Sequence, residues 1–123
     1  MKTQPIIALC LSLLLPGQAL AACNPNDKMP PPAKYDYMPK HKFRIVKLDK
    51  WRLKYECDRL MVSLGYATLP WGYLGCADRV LPDLVIYVLE NGTYFHDHGQ
   101  GCVSEEDIIR HERAHLNGWN HSN

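Results

Sequence analysis

Between residues 49 and 64, the apolar positions Leu53, Cys57, Leu60, Met61 and Leu64 recur at i, i+4, i+7, i+8 and i+11. That is the period of one helix face. A shorter alternation, Trp51, Leu53, Tyr55 and Cys57 against charged neighbours, suits a strand, but it covers less of the chain and has no end signals. Asp49 can cap the helix with its side chain, and Gly65 can close it at positive φ. The pattern predicts a helix over 49–64. Leu84-Val85-Ile86-Tyr87-Val88-Leu89 is β-branched and apolar on both faces, follows Pro82-Asp83, and runs out at the turn dipeptide Asn91-Gly92. This predicts a buried strand, with Thr93 to His96 as its hairpin partner. Tyr66 to Gly75, with its glycines, proline and aromatics, reads as a loop or short strand.

A second helix is predicted from Ser104. Its hydroxyl can cap, Asp107 three residues on makes a relative of the capping box, and Glu105, Glu106 and Asp107 place negative charge where the helix dipole favours it. Glu106, Arg110, Arg113 and Asn117 form a polar stripe. Ile108, Ile109, His111, Glu112, His115 and Leu116 form the inward one. The expected fold is α+β: one small domain over 43–123, with two main helices packed on a short antiparallel sheet in a minimal zincin-like arrangement.

Composition changes the picture at the N-terminus. Lys2 and the apolar run Ile6 to Leu15, followed by Ala19, Ala21 and Ala22, read as a secretory signal peptide over 1–22. The run is too short to cross a bilayer. Leu20-Ala21-Ala22-Cys23 resembles the lipobox of bacterial lipoproteins, which implies lipidation of Cys23 and a membrane tether. Cleavage after Ala21, leaving Cys23 unmodified, is the alternative. Residues 23–42 are read as a Pro-rich linker or arm. Residues 24–42 contain five prolines, and Pro30 to Pro32 favour an extended polyproline tether; an arm packed on the domain is the competing reading.

The formal net charge of +1 gives no push toward nucleic acid. Lys40 to Lys54 holds seven Lys or Arg against one Asp, which reads as a solvated helix face more readily than as a surface for anionic lipid or cell-wall polymer. Export places the cysteines in an oxidising compartment, the bacterial periplasm or outer membrane if the tether exists, and otherwise the medium. Cys23, Cys57, Cys76 and Cys102 then allow several pairings, Cys57 with Cys76 among them.

The sharpest feature is His111-Glu112-Arg113-Ala114-His115-Leu116-Asn117-Gly118-Trp119-Asn120-His121. Residues four apart on a helix differ by about 40° around the axis and about 6 Å along it, so His111 and His115 can reach one ion. Glu112 lies on the flank of that face, placed to reach a water rather than the ion. Gly118 allows the helix to stop and the chain to reverse, bringing His121 back as a third ligand. Three protein ligands leave a coordination position for water, the arrangement of catalytic zinc.

The spacing resembles the H-E-x-x-H-x-x-G-x-x-H signature of metzincin metallopeptidases. With Trp119 included, it also resembles short bacterial plasmid and phage metallopeptidases that end HExxHxxGWxH. Metzincins carry a methionine turn beyond the third histidine; only Ser122 and Asn123 follow here, so the expectation is a metzincin-like site on a minimal scaffold. The resemblance implies Zn2+ on His111, His115 and His121, Glu112 as general base, and a peptide or protein substrate. It also implies that the substrate lies extended along a sheet edge, with Val85, Tyr87 and Tyr94 as candidate contacts. Tyr94, His96 and His98 are read chiefly as surface loop residues, with oxyanion stabilisation as their functional alternative. Trp119 packs either by the metal or as ordinary core. The rival reading of the chain is a non-catalytic, zinc-stabilised envelope lipoprotein that acts as a binding module.

Overall fold

A computed structural model describes residues 28–90 and 103–121. These form a small α+β domain in which a three-stranded sheet carries two helices. After a 3-10 turn at Ala33–Tyr35, the elements are β1 (Phe43–Leu48), α1 (Lys50–Ser63), β2 (Gly75–Asp78), β3 (Leu84–Leu89) and α2 (Glu105–Leu116).

The sheet order is β1-β3-β2. β1 runs parallel to β3, Phe43 opposite Leu84 through Leu48 opposite Leu89, and β2 runs antiparallel to β3, Gly75 opposite Val88 through Asp78 opposite Val85. The sheet is therefore mixed rather than purely antiparallel. Within the basic stretch, residues 43–48 form a strand and not a helix face. Its apolar positions are divided between the two sides, as suits an edge strand carrying charge. Much of that charge is paired, Arg44 with Asp83, Lys47 with Glu105 and Lys54 with Asp58. The predicted hairpin partner of β3, residues 93–96, lies outside the described residues.

Both helices have the ends that their sequences foretell. The Asp49 carboxylate accepts from the backbone N–H groups of Trp51 and Arg52. Ser104 and Asp107 form a full reciprocal capping box. At the C-terminus of α1, Gly65 sits at φ +78°, its N–H donates to Val62 O at 3.1 Å, and the Tyr66 N–H donates to Met61 O at 2.9 Å. This pair of bonds is a Schellman motif, which satisfies carbonyls that the helix alone leaves open.

Strand alternation assigns the helices to faces. A Cβ on Gly75 would lie 2.9 Å from Ile108 Cγ2 and 3.1 Å from Glu112 Cγ, so the Gly75 face carries α2. Cys76 points the other way, to a disulfide with Cys57 of α1. Leu53, Cys57, Leu60, Cys76, Val88, Leu89, Val103 and Ile108 form the core. Burying side chains of this size contributes about 1.5–3 kcal/mol each.

The N-terminal arm packs on α2. Asn117 Nδ2 donates to Tyr35 O at 2.9 Å and to Tyr37 O at 2.7 Å, while Asp36 takes Arg110 and Arg113 as ion-pair partners. The Arg110 guanidinium beside Asp36 holds that carboxyl below the ordinary carboxylate range. The described part of the arm is thus fastened to the helix that bears the histidines. Residues 1–22, read above as a signal peptide, and Cys23 fall outside the described residues; among the described residues no helix is long and apolar enough to cross a membrane.

Candidate metal centre

α2 presents His111, Glu112 and His115 on its sheet-facing side, and the chain after it returns His121. The return is a second Schellman motif. Gly118 takes φ +101°, its N–H donates to His115 O at 3.1 Å, and the Trp119 N–H donates to Ala114 O at 3.2 Å. A side chain at that φ is strained, which is why glycine stands there. Arg79, just past β2, secures the turn from outside: Nη1 donates to His115 O at 3.3 Å and Nη2 to Asn120 Oδ1 at 3.0 Å.

One ligand atom from each of His111, His115 and His121 lies within 4.8 Å of the other two, so the three are close enough to hold a metal ion. Nitrogens on one tetrahedral zinc sit about 3.4 Å apart, given bonds of about 2.0–2.1 Å.

The tautomers fit the same purpose. His111 Nδ1 is 2.7 Å from Met29 O, and His115 Nδ1 is 2.7 Å from Trp119 O. A carbonyl oxygen only accepts, so each Nδ1 carries the proton and each Nε2 presents a lone pair. Carbonyl partners of this kind orient metal-bound imidazoles. Burial pushes both rings toward the neutral form: His111 is lowered, and His115 is lowered to about 4.

Trp119 is packed against all three rings. It stacks on His115 with centroids 4.7 Å apart and an interplanar angle of 8°, and lies 4.8 Å from His111 and 4.9 Å from His121. It is both core and backing for the site.

Glu112 is only 6% exposed. No Lys or Arg among the described residues pairs with it, and burial alone pushes its carboxyl up to about 8. It comes this close to β2 because Gly75 has no side chain.

Glu112, His115 and His121 open onto a cleft of about 420 Å³. Gly75, Cys76 and Ala77 of β2 line its length, and Arg79 and Asn120 lie on the histidine side. The opposite wall is Met61, Leu64, Tyr66, Leu69 and Tyr73.

Two of the sequence-predicted substrate contacts lie elsewhere. Val85 and Tyr87 are on β3, the central strand, paired on both sides. The edge beside the candidate metal centre is that of β2, which among the described residues pairs only with β3. Tyr94, His96, His98 and Cys102 fall outside the described residues. Sequence reasoning missed Gly75, Arg79 and the Met29 carbonyl. The first is a close-approach glycine in a four-residue strand, and the other two act across long sequence separations that no local pattern records.

Comparison with protein-family models, curated proteins and solved structures finds no match for the chain.

Proposed function

We propose that this protein is an exported zinc metallopeptidase that hydrolyses peptide bonds. The observation that carries this reading is the buried Glu112, without a charged partner among the described residues, beside three converging imidazoles and facing a cleft along the edge of β2. Three imidazole nitrogens match the ligand chemistry of zinc. His111, His115 and His121 would hold it. When bound, the ion supplies Lewis acidity, polarising a carbonyl and acidifying water.

The chain's own residues supply the rest. An extended peptide can add to the N–H and C=O groups on the edge of β2 that has no strand partner among the described residues, which aligns its backbone with the cleft. Glu112 takes the proton released as water attacks the carbonyl carbon, then gives it to the departing amine nitrogen. Burial pushes the Glu112 carboxyl up to about 8, which makes its ionised form a better proton acceptor than an ordinary carboxylate. Trp119 and the carbonyls of Met29 and Trp119 hold the imidazoles in place while this happens.

Cys57 and Cys76 at disulfide distance are compatible with an oxidising location. Export, and a lipid tether through Cys23, are parts of the proposal carried by the sequence of residues 1–23.

The test is to purify the mature protein and its Glu112→Gln variant, measure zinc content, and assay hydrolysis of an unfolded protein. The reading expects zinc in both and hydrolysis in the wild type alone. Zinc without hydrolysis in either would favour a zinc-stabilised binding module.

A further inference from the structure

The two walls of the cleft differ in chemistry. On one side stand the histidines, Glu112, Arg79 and Asn120. On the other stand Met61, Leu64, Tyr66 and Leu69, with no charged group among the lining residues. Leu64 is 52% exposed, Tyr66 58% and Leu69 37%, apolar surface left open beside the site.

This wall is built, not draped. The Schellman turn at Gly65 fixes the exit from α1. Tyr73 then holds the loop: its hydroxyl donates to Asp58 Oδ1 at 2.7 Å and accepts from the Leu69 N–H at 3.0 Å. Lys54 holds Asp58 in turn, at 2.6 Å. The Cys57–Cys76 disulfide ties α1, which begins the wall, to β2, which is the floor. A preorganised apolar surface loses little freedom on receiving a ligand, so burial of an apolar group there is gained nearly in full.

The strand geometry says what arrives. A peptide paired with β2 sends alternate side chains to opposite faces. Gly75 and Ala77 face the α2 side, and Cys76 faces the α1 side, where the wall begins. Of two successive substrate residues, one is therefore directed at the histidine side and its neighbour at the apolar wall. We infer that the cleft selects a bulky aliphatic or aromatic side chain at a residue flanking the scissile bond, seated against Met61, Leu64, Tyr66 and Leu69. The inference rests on the peptidase reading and adds the substrate class to it.

The experiment uses the zinc-loaded full chain and peptides that differ only at the two residues flanking one bond, each varied in turn among Leu, Phe, Gly and Asp. At one of the two positions, Leu or Phe is expected to raise kcat/KM over Gly or Asp by about 10- to 100-fold, the range that an apolar pocket provides. Leu69→Asp, at a part-exposed position, is expected to erase the preference with zinc content unchanged. A second readout needs no turnover: leucine hydroxamate should bind at least about tenfold more tightly than glycine hydroxamate, and lose that margin in Leu69→Asp. Equal rates across the peptides with equal hydroxamate affinities would overturn the inference, as would a preference that survives Leu69→Asp. Peptides left uncut by a protein that still favours the leucyl compound would sink the peptidase reading and leave the apolar pocket standing.

Discussion

His111 donates from Nδ1 to the carbonyl oxygen of Met29 at 2.7 Å, across 82 residues of sequence. The residue that orients the first candidate metal ligand therefore belongs to the N-terminal arm and not to the helix or the sheet. The same arm grips α2 at Asn117, Arg110 and Arg113. What reads in sequence as a linker or arm supports the candidate metal centre from behind.

Removal of the arm should accordingly weaken metal binding. A chain starting at residue 38 is expected to bind zinc about 10- to 100-fold less tightly than one starting at residue 28, the usual cost of losing an outer-shell partner. Competition with a chromophoric chelator measures this. Equal affinities would show that the Met29 contact does not support the site.

Gly75→Ala should be disruptive for its size. The new methyl group would meet Ile108 Cγ2 and the Tyr87 carbonyl oxygen, both at 2.9 Å, and Glu112 Cγ at 3.1 Å. Pushing α2 off the sheet is expected to cost about 1–3 kcal/mol, as overpacking does, and to displace Glu112 from the cleft. Urea unfolding gives the first number. A fall in hydrolysis larger than the fall in folded fraction gives the second.

The metal-free protein should have a bounded pH range of stability. Folded Glu112 keeps its proton to about 8, whereas an ordinary glutamate releases it near 4.5. Between those values the folded state binds more protons than the unfolded, so stability falls as pH rises. His115 works in the opposite sense. Its folded value of about 4 lies below the ordinary 6.5, so between them the unfolded state binds more protons and stability falls as pH drops. Chelator-treated protein is expected to be most stable between these flanks. Glu112→Gln should remove the alkaline flank, with the gap between the two proteins changing by about 1 kcal/mol per pH unit from about pH 5 to 8. Denaturant unfolding across that range tests it, and parallel curves would refute it.

The parts of the fold that were legible in sequence are those written locally. Asp49, Gly65, Ser104 and Gly118 mark helix ends through bonds spanning a few residues, and each end formed as its signals require. The His111, Glu112, His115 and His121 spacing was legible for the same reason: helix period and one glycine suffice to bring the three imidazoles together. β1 was hidden because Arg44 and Lys47 interrupt its apolar positions. β2 was hidden because Gly75, Ala77 and Asp78 have little strand propensity. Its place at the sheet edge comes from pairing with β3, the Cys57 link and the close approach of α2, all of them tertiary. For the same reason Val85 and Tyr87, whose strong apolar segment suggests a substrate contact, belong to the strand that the sheet buries at its centre. Arg79 and the Met29 carbonyl carry no local signature, since any exposed arginine and any backbone oxygen read the same in one dimension.

The most direct test of the whole account is a zinc titration of the metal-free protein beside His121→Ala. The wild type is expected to take up a single equivalent, and His121→Ala, which keeps α2 and both of its histidines, to bind at least about 100-fold more weakly, because one of three ligands is gone. Uptake of zinc that is indifferent to His121, or no uptake at all, would contradict it.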